Sequence, residues 1–346
     1  MNRKAWILCA WLILAAAAAS AEPVTTRVWQ EAVVSVSDLD TSARFFVEIG
    51  NYEVKWRGRL RDSELVAFGL PGEARGEALL LGPPDATTGL VRLVRFDSAG
   101  RKEPMRPGSR AWDTGCYFSL MVRAKDLNAI YDDAIAMGWW TETPITYLEF
   151  GASKLNVVIF KGPGGLQVQA YERLSPPLPD AVGPFDRLTR PFNVMQMVRS
   201  RDAAYGFFSD VLGFATFYAG DPYLAREPEY MPLGIPYNLT TSISYQAGIV
   251  YPEAGEFGRM EMIEIMGLEG RDYSERCRAP NLGILAIRFE IDSIEALEAR
   301  LESRGYPAMG EAMPLRLPPY GRFEALNVST PDGALIQFIE RSAAPW

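Results

Sequence analysis

The sequence predicts an α+β fold assembled from four strand–helix–strand–strand–strand (βαβββ) units, and three observations carry that prediction. First, Gly162-Pro163-Gly164-Gly165 through Glu172-Arg173 aligns with Thr330-Pro331-Asp332-Gly333 through Glu340-Arg341 at an offset of 168; the turn proline, the glycine, Gln169/Gln337 and the final Glu-Arg coincide. Each copy is a Pro-x-Gly turn feeding a short strand of β-branched or aromatic residues. Second, amphipathic helices open at Asp126-Leu127 and Ser293-Ile294 and close twelve residues on at Gly138 and Gly305, an offset of 167. An N-cap residue and a C′ glycine bracket each. Third, Phe45-Phe46 and Phe207-Phe208 each follow a strand and a helix-opening residue, Asp38 and Ser200. Internal periods of this kind decide architecture before any single element does.

Taken in order, the units span about residues 28–97, 114–173, 191–267 and 281–341. In the first, Val33-Val34-Ser35-Val36-Ser37-Asp38 reads as strand and N-cap. Strand period puts Glu31, Val33 and Ser35 on one face and Ala32, Val34 and Val36 on the other, packed under the helix. In the second, Leu127, Ile130, Tyr131 and Ala134 form the helix stripe, and Trp139-Trp140 begin a strand with one indole buried. Leu174 to Arg190 carries four prolines, at 176, 177, 179 and 184, and reads as a linker. In the third unit Phe217–Tyr237 is a long insertion rich in proline and aromatics, either a lid over a cavity or an interface segment. In the fourth, Ile294, Leu297 and Leu301 repeat the helix stripe.

Ahead of the units, Met1-Asn2-Arg3-Lys4 is a basic n-region, Ala5 to Ala18 an apolar h-region, and Ala19-Ser20-Ala21 a signal-peptidase site. The mature chain is expected to start near Glu22, in a bacterial periplasm or outside the cell. Removing Arg3 and Lys4 takes the formal charge from −8 to −10. An acidic surface without basic runs argues against nucleic acid or membrane surfaces as partners. Of the remaining cysteines, Cys116 and Cys277 fall in different predicted domains, so both are expected as small buried hydrophobes rather than a disulfide. The chain has no histidine, which excludes Ser-His-Asp and Cys-His nucleophile systems. Gly162-Pro163-Gly164-Gly165 is a β-turn and not a phosphate cradle, because a strand follows it.

The strand ending in Ser37-Asp38-Leu39, the helix with Phe45-Phe46, the pair Phe207-Phe208 and Gly213-Phe214, and the closing Thr330-Pro331-Asp332-Gly333 strand resemble the vicinal-oxygen-chelate superfamily of glyoxalase, bleomycin-resistance and extradiol-dioxygenase proteins. The resemblance covers essentially the whole mature chain. It implies two glyoxalase-like domains, residues 22–173 and 191–346, with residues 1–21 as signal peptide and 174–190 as linker. In each, two modules curl around one cavity, where the family holds a divalent metal between the first strands and a glutamate on the last strand. Carried over by spacing, these positions fall on Glu31, Ser119 and Gln169 in the first domain and on Asn193, Ala286 and Gln337 in the second. Neither set offers the three imidazole or carboxylate donors a catalytic metal needs. No metal cofactor is therefore expected, with Fe, Mn, Ni or Zn on atypical oxygen ligands as the alternative.

By strand parity the first cavity holds Glu31, Ser119, Arg123, Gln169 and Tyr171, and the second Asn193, Arg288 and Gln337. A carboxylate, guanidiniums, amides and a phenol suit a polar or mixed small molecule. Glu31 is the candidate general base, its alternative being a solvated or Arg123-paired carboxylate. Arg92 and Glu261 occupy equivalent fourth-strand places and are expected on the outer face. The expected function is binding of a small organic molecule in a metal-free cavity; the alternatives are a metal-independent lyase or isomerase using Glu31, and a metallo-enzyme of glyoxalase or dioxygenase type. A homodimer is possible, since paired modules can come from one chain or be exchanged between chains.

Overall fold

The computed structural model describes residues 22–108 and 110–342; the expected signal peptide, residues 1–21, lies outside them. The first module contains β1 (Glu31–Ser35), α1 (Leu39–Arg44, continued by a π-helical turn Phe45–Ile49), β2 (Glu53–Arg59), α2 (Asp62–Ala67), β3 (Arg75–Gly82) and β4 (Leu90–Asp97). The second has β5 (Tyr117–Ala124), α3 (Leu127–Ala136), β6 (Thr146–Phe150), β7 (Ser153–Lys161) and β8 (Gln167–Ser175). The third has β9 (Asn193–Met197), α4 (Arg201–Gly206, continued by a π-helical turn Phe207–Val211), β10 (Ala215–Ala219), β11 (Ser244–Tyr251) and β12 (Arg259–Met266). The fourth has β13 (Gly283–Ile291), α5 (Ile294–Ser303), β14 (Met313–Leu317), β15 (Gly321–Ser329) and β16 (Leu335–Arg341). The predicted helix openers cap as expected: Asp38 accepts from Thr41 N at 2.7 Å, Asp126 from Ala129 N at 3.3 Å, Ser200 from Ala203 N at 3.3 Å and Ser293 from Ala296 N at 3.0 Å. Each satisfies a backbone donor that the helix cannot.

Two eight-stranded mixed sheets result, with strand orders β14-β15-β16-β13-β1-β4-β3-β2 and β10-β11-β12-β9-β5-β8-β7-β6. The first module therefore shares a sheet with the fourth, and the second with the third. This corrects the expectation that each half of the chain closes its own cavity. Consecutive modules do pack together, but through their helical sides. Phe45 stacks on Trp139 at 4.2 Å, and Phe207 lies 5.2 Å from Tyr306. One core joins the helix-facing residues of all four leading strands, Val34, Val122, Val194 and Ile287 among them, to these rings. Four copies of one pattern present the same leading strand, so the repeat alone does not reveal which pairs with which. All four modules find their sheet partners within one chain.

The cysteine expectation is also corrected: Cys116 and Cys277 form a disulfide, with Cα atoms 5.1 Å apart. The two connections that cross between the sheets run side by side, pairing Pro104 with Leu282 and Thr114 with Asp272. That contact brings together residues 161 apart in sequence. Among the described residues no helix is long and apolar enough to cross a membrane.

Candidate functional site

Each sheet curls, and its concave face is a cup. In the β1–β13 cup, Glu31 on β1 faces Arg288 on β13, Arg288 neighbours Gln337 on β16, and Val33 neighbours Arg92 on β4. Glu31 Oε1 accepts from Arg92 Nε at 2.7 Å and also from Arg288 Nη1. Arg288 Nε donates to Gln337 Oε1 at 2.6 Å, and Gln337 Nε2 to Asn327 Oδ1 at 2.9 Å. Arg92 lies under Trp56 and Tyr320, and Arg288 under Phe68. All four residues are completely buried. Burial opposes ionisation of Glu31, but the two guanidiniums prevail and hold its carboxyl below the usual range. The cup is plugged by α2 and the residue after it, with Leu65 and Phe68 packed against Val33, Val94 and Ala286. Glu64 of α2 is sealed in as well, and burial raises its pKa although Arg92 and Arg288 pull the other way.

The β5–β9 cup repeats this geometry with different chemistry. Met121 on β5 faces Asn193 on β9, Met121 neighbours Gln169 on β8, and Met195 neighbours Glu261 on β12. Asn193, Glu261, Met121 and Gln169 thus stand where Glu31, Arg92, Arg288 and Gln337 stand in the other cup. Among the described residues no α-helix plugs this sheet. A cavity of about 580 Å³ remains, walled by aromatic residues such as Tyr171, Phe192, Tyr218 and Tyr245 and covered by Tyr230 to Leu233 of the long insertion. The insertion thus takes the lid position, held by a bridge between Tyr223 and Tyr245. Asn193 Nδ2 donates to Glu261 Oε2 at 2.7 Å, while Asn193 Oδ1 is buried without a hydrogen-bond partner. Burial lifts the Glu261 carboxyl to about 7, against smaller lowering by the Asn193 hydrogen bond and the Arg259 charge. Gln169 Nε2 donates to Tyr171 Oη at 2.6 Å, and burial raises the Tyr171 phenol well above its ordinary range.

The expected site residues separate accordingly. Arg123, Gln169, Tyr171 and Asn193 come together on the open cavity. Ser119 is buried one strand period deeper and reaches only Gln169 Oε1, at 3.4 Å. Arg288 and Gln337 belong to the other cup with Glu31, not with Asn193, because the modules pair crosswise. Glu31 and Gln169 consequently lie on different sheets, and Glu31 is sealed from solvent, with Oε1 held by two guanidiniums and Oε2 buried without a partner. Arg92 and Glu261 face inward, contrary to expectation. The available signal was parity: Glu261 alternates with Met260 and Met262, both fully buried in the helix-side core, so it had to face the cup.

Neither cup fits a catalytic cation. One sets two guanidiniums against Glu31; the other has on its floor the Glu261 carboxyl beside two amides and a thioether, short of what a divalent site needs. Among the described residues no three His, Cys, Asp or Glu side chains gather as a ligand set.

By structure the chain is similar to glyoxalase I from Zea mays, at 13% identity and a TM-score of 0.59, over 90% of this chain and 92% of that one. A candidate dioxygenase from Bacillus subtilis is similar at 12% identity and a TM-score of 0.52, over 91% and 86%. By sequence, no described protein family and no curated protein matches.

Proposed function

We propose, on the premise that this chain has the tandem vicinal-oxygen-chelate fold, that it is an exported protein binding a small organic molecule in the β5–β9 cup without a metal. The observation that carries this reading is the cavity of about 580 Å³ whose floor holds a buried, unpartnered acceptor, Asn193 Oδ1, beside Glu261. A buried polar atom without a partner is costly, and a ligand donor removes that cost. Export is supported by the signal-like N-terminus and by the Cys116–Cys277 bridge, which suits an oxidising compartment. Native mass spectrometry and elemental analysis of untagged protein from its own host test the reading. An organic adduct without stoichiometric metal is expected. Stoichiometric Fe, Mn, Ni or Zn that disappears in Glu261→Gln overturns it.

A second reading, a metal-independent lyase or isomerase, is favoured by one observation: a buried carboxyl at about 7 exchanges protons near neutral pH. The base is then Glu261 and not Glu31. Incubating the co-purified molecule with the protein in D2O checks it. Deuterium is expected at a carbon next to the bound polar group and lost in Glu261→Gln; no incorporation removes this reading.

A further inference from the structure

We propose that the open cup is built for an organic anion that also carries an N–H or O–H donor, the anion lying between Arg123 and Arg259 and the donor meeting Asn193 and Glu261. This rests on the binding reading above and specifies the class of ligand.

The chain is acidic overall, with a formal charge of −8, yet the buried lining of this cavity carries two arginines, Arg123 and Arg259, against one carboxyl, Glu261. Arg123 on β5 and Arg259 on β12 flank the start of β9 from its two sides, both buried. Each guanidinium lies on a ring, Arg123 on Phe192 and Arg259 on Phe217, both at 3.9 Å. Such stacking holds the planar group in place and leaves its remaining N–H groups for an in-plane acceptor; Arg259 already donates Nε and Nη2 to Gly255 O, at 3.2 and 2.8 Å. The anion the chain itself offers them is Glu256, which stands 3.4 Å from each. One carboxylate shared at that distance leaves a net positive charge, and Arg123 Nε has no hydrogen-bond partner. Arg173 lines the same cavity and adds to the positive charge around Arg123.

Glu261 apart, the acidic residues that line the cavity stand at its mouth. Glu149, Asp221 and Glu229 are exposed, and two of them are engaged there: Glu149 accepts from Tyr147 Oη at 2.5 Å and Glu229 from Tyr223 Oη at 2.8 Å. On the floor, Asn193 Oδ1 is a buried acceptor without a hydrogen-bond partner. Arg259 and Glu261 lie on one face of β12, two residues apart, which separates the cationic and acceptor ends by roughly 7 Å. Tyr171, Tyr218 and Tyr245 wall the space and suit a flat body.

Fluorescence titration of the mature chain with 2-anilinonaphthalene-6-sulfonate tests this. The probe is flat and has an aryl N–H and a sulfonate at opposite ends. N-phenyl-2-naphthylamine, which lacks only the sulfonate, is the comparison. The sulfonate is expected to bind at least about tenfold tighter than the neutral compound. Arg123→Gln and Arg259→Gln should each remove that advantage while leaving the neutral compound's affinity unchanged. Should a variant fail to fold, the comparison on the unaltered protein still decides. Equal or tighter binding of the neutral compound overturns the anion assignment and leaves the cavity reading standing. If neither compound binds, both fall.

Discussion

The two cups have the same strand registers and opposite contents. In the β1–β13 cup, Glu31, Arg92, Arg288 and Gln337 form one ion and hydrogen-bond network that α2 seals from solvent, with Glu31 Oε2, Arg92 Nη1 and Arg288 Nη2 left without partners. In the β5–β9 cup, Asn193, Glu261, Met121 and Gln169 leave an acceptor without a donor, and a loop covers a cavity that, among the described residues, no α-helix fills. The difference teaches that the same registers hold either a sealed ion network or an open cavity, according to which side chains stand on the floor and whether a helix packs over them. Arg92 and Arg288 place positive charge on the floor of their cup, and Glu31 neutralises part of it. The β5–β9 cup holds one floor carboxyl, Glu261, paired with Asn193, and keeps its space open.

The largest expected effect breaks the closed cup. Glu31→Gln removes the shared anion and leaves Arg92 and Arg288 buried without it, which should cost about 3–5 kcal/mol in urea denaturation. A loss below about 1 kcal/mol would show that this cup admits water and that the contrast is false. Ligand-probe affinity in the other cup should not change.

A smaller effect of opposite sign sharpens the contrast. Glu261 has its folded pKa raised to about 7 from 4.5. The folded state therefore holds the proton more tightly, and ionising Glu261 costs stability as pH rises between those values; the cost is complete above about 7 and absent well below 4.5. Glu261→Gln should accordingly stabilise the protein by about 1–3 kcal/mol at pH 8, and by less than about 0.5 kcal/mol at pH 4.5. Glu31 behaves in the reverse way. Its pKa is lowered, so its contribution is present above 4.5 and is lost as acid protonates it below that. A destabilised Glu261→Gln at pH 8 would show that its carboxylate is paired or hydrated there.

The sequence by itself determined the modules and their local order. Pro-x-Gly turns, N-cap residues and strand alternation act over a few residues, so the caps at Asp38, Asp126, Ser200 and Ser293 and the buried Phe45-Phe46 and Phe207-Phe208 pairs were legible in advance. The same parity placed Arg123, Gln169, Tyr171 and Asn193 on a cup face. Only the tertiary structure decided which modules share a sheet, that Cys116 meets Cys277, and that Glu31 belongs with Arg288 rather than with Ser119. The physical reason is that strand pairing between modules depends on backbone hydrogen bonds that any module's leading strand can make. The choice among such equivalent partners is set by helix-side packing, Phe45 on Trp139 and Phe207 against Tyr306, between residues about a hundred positions apart.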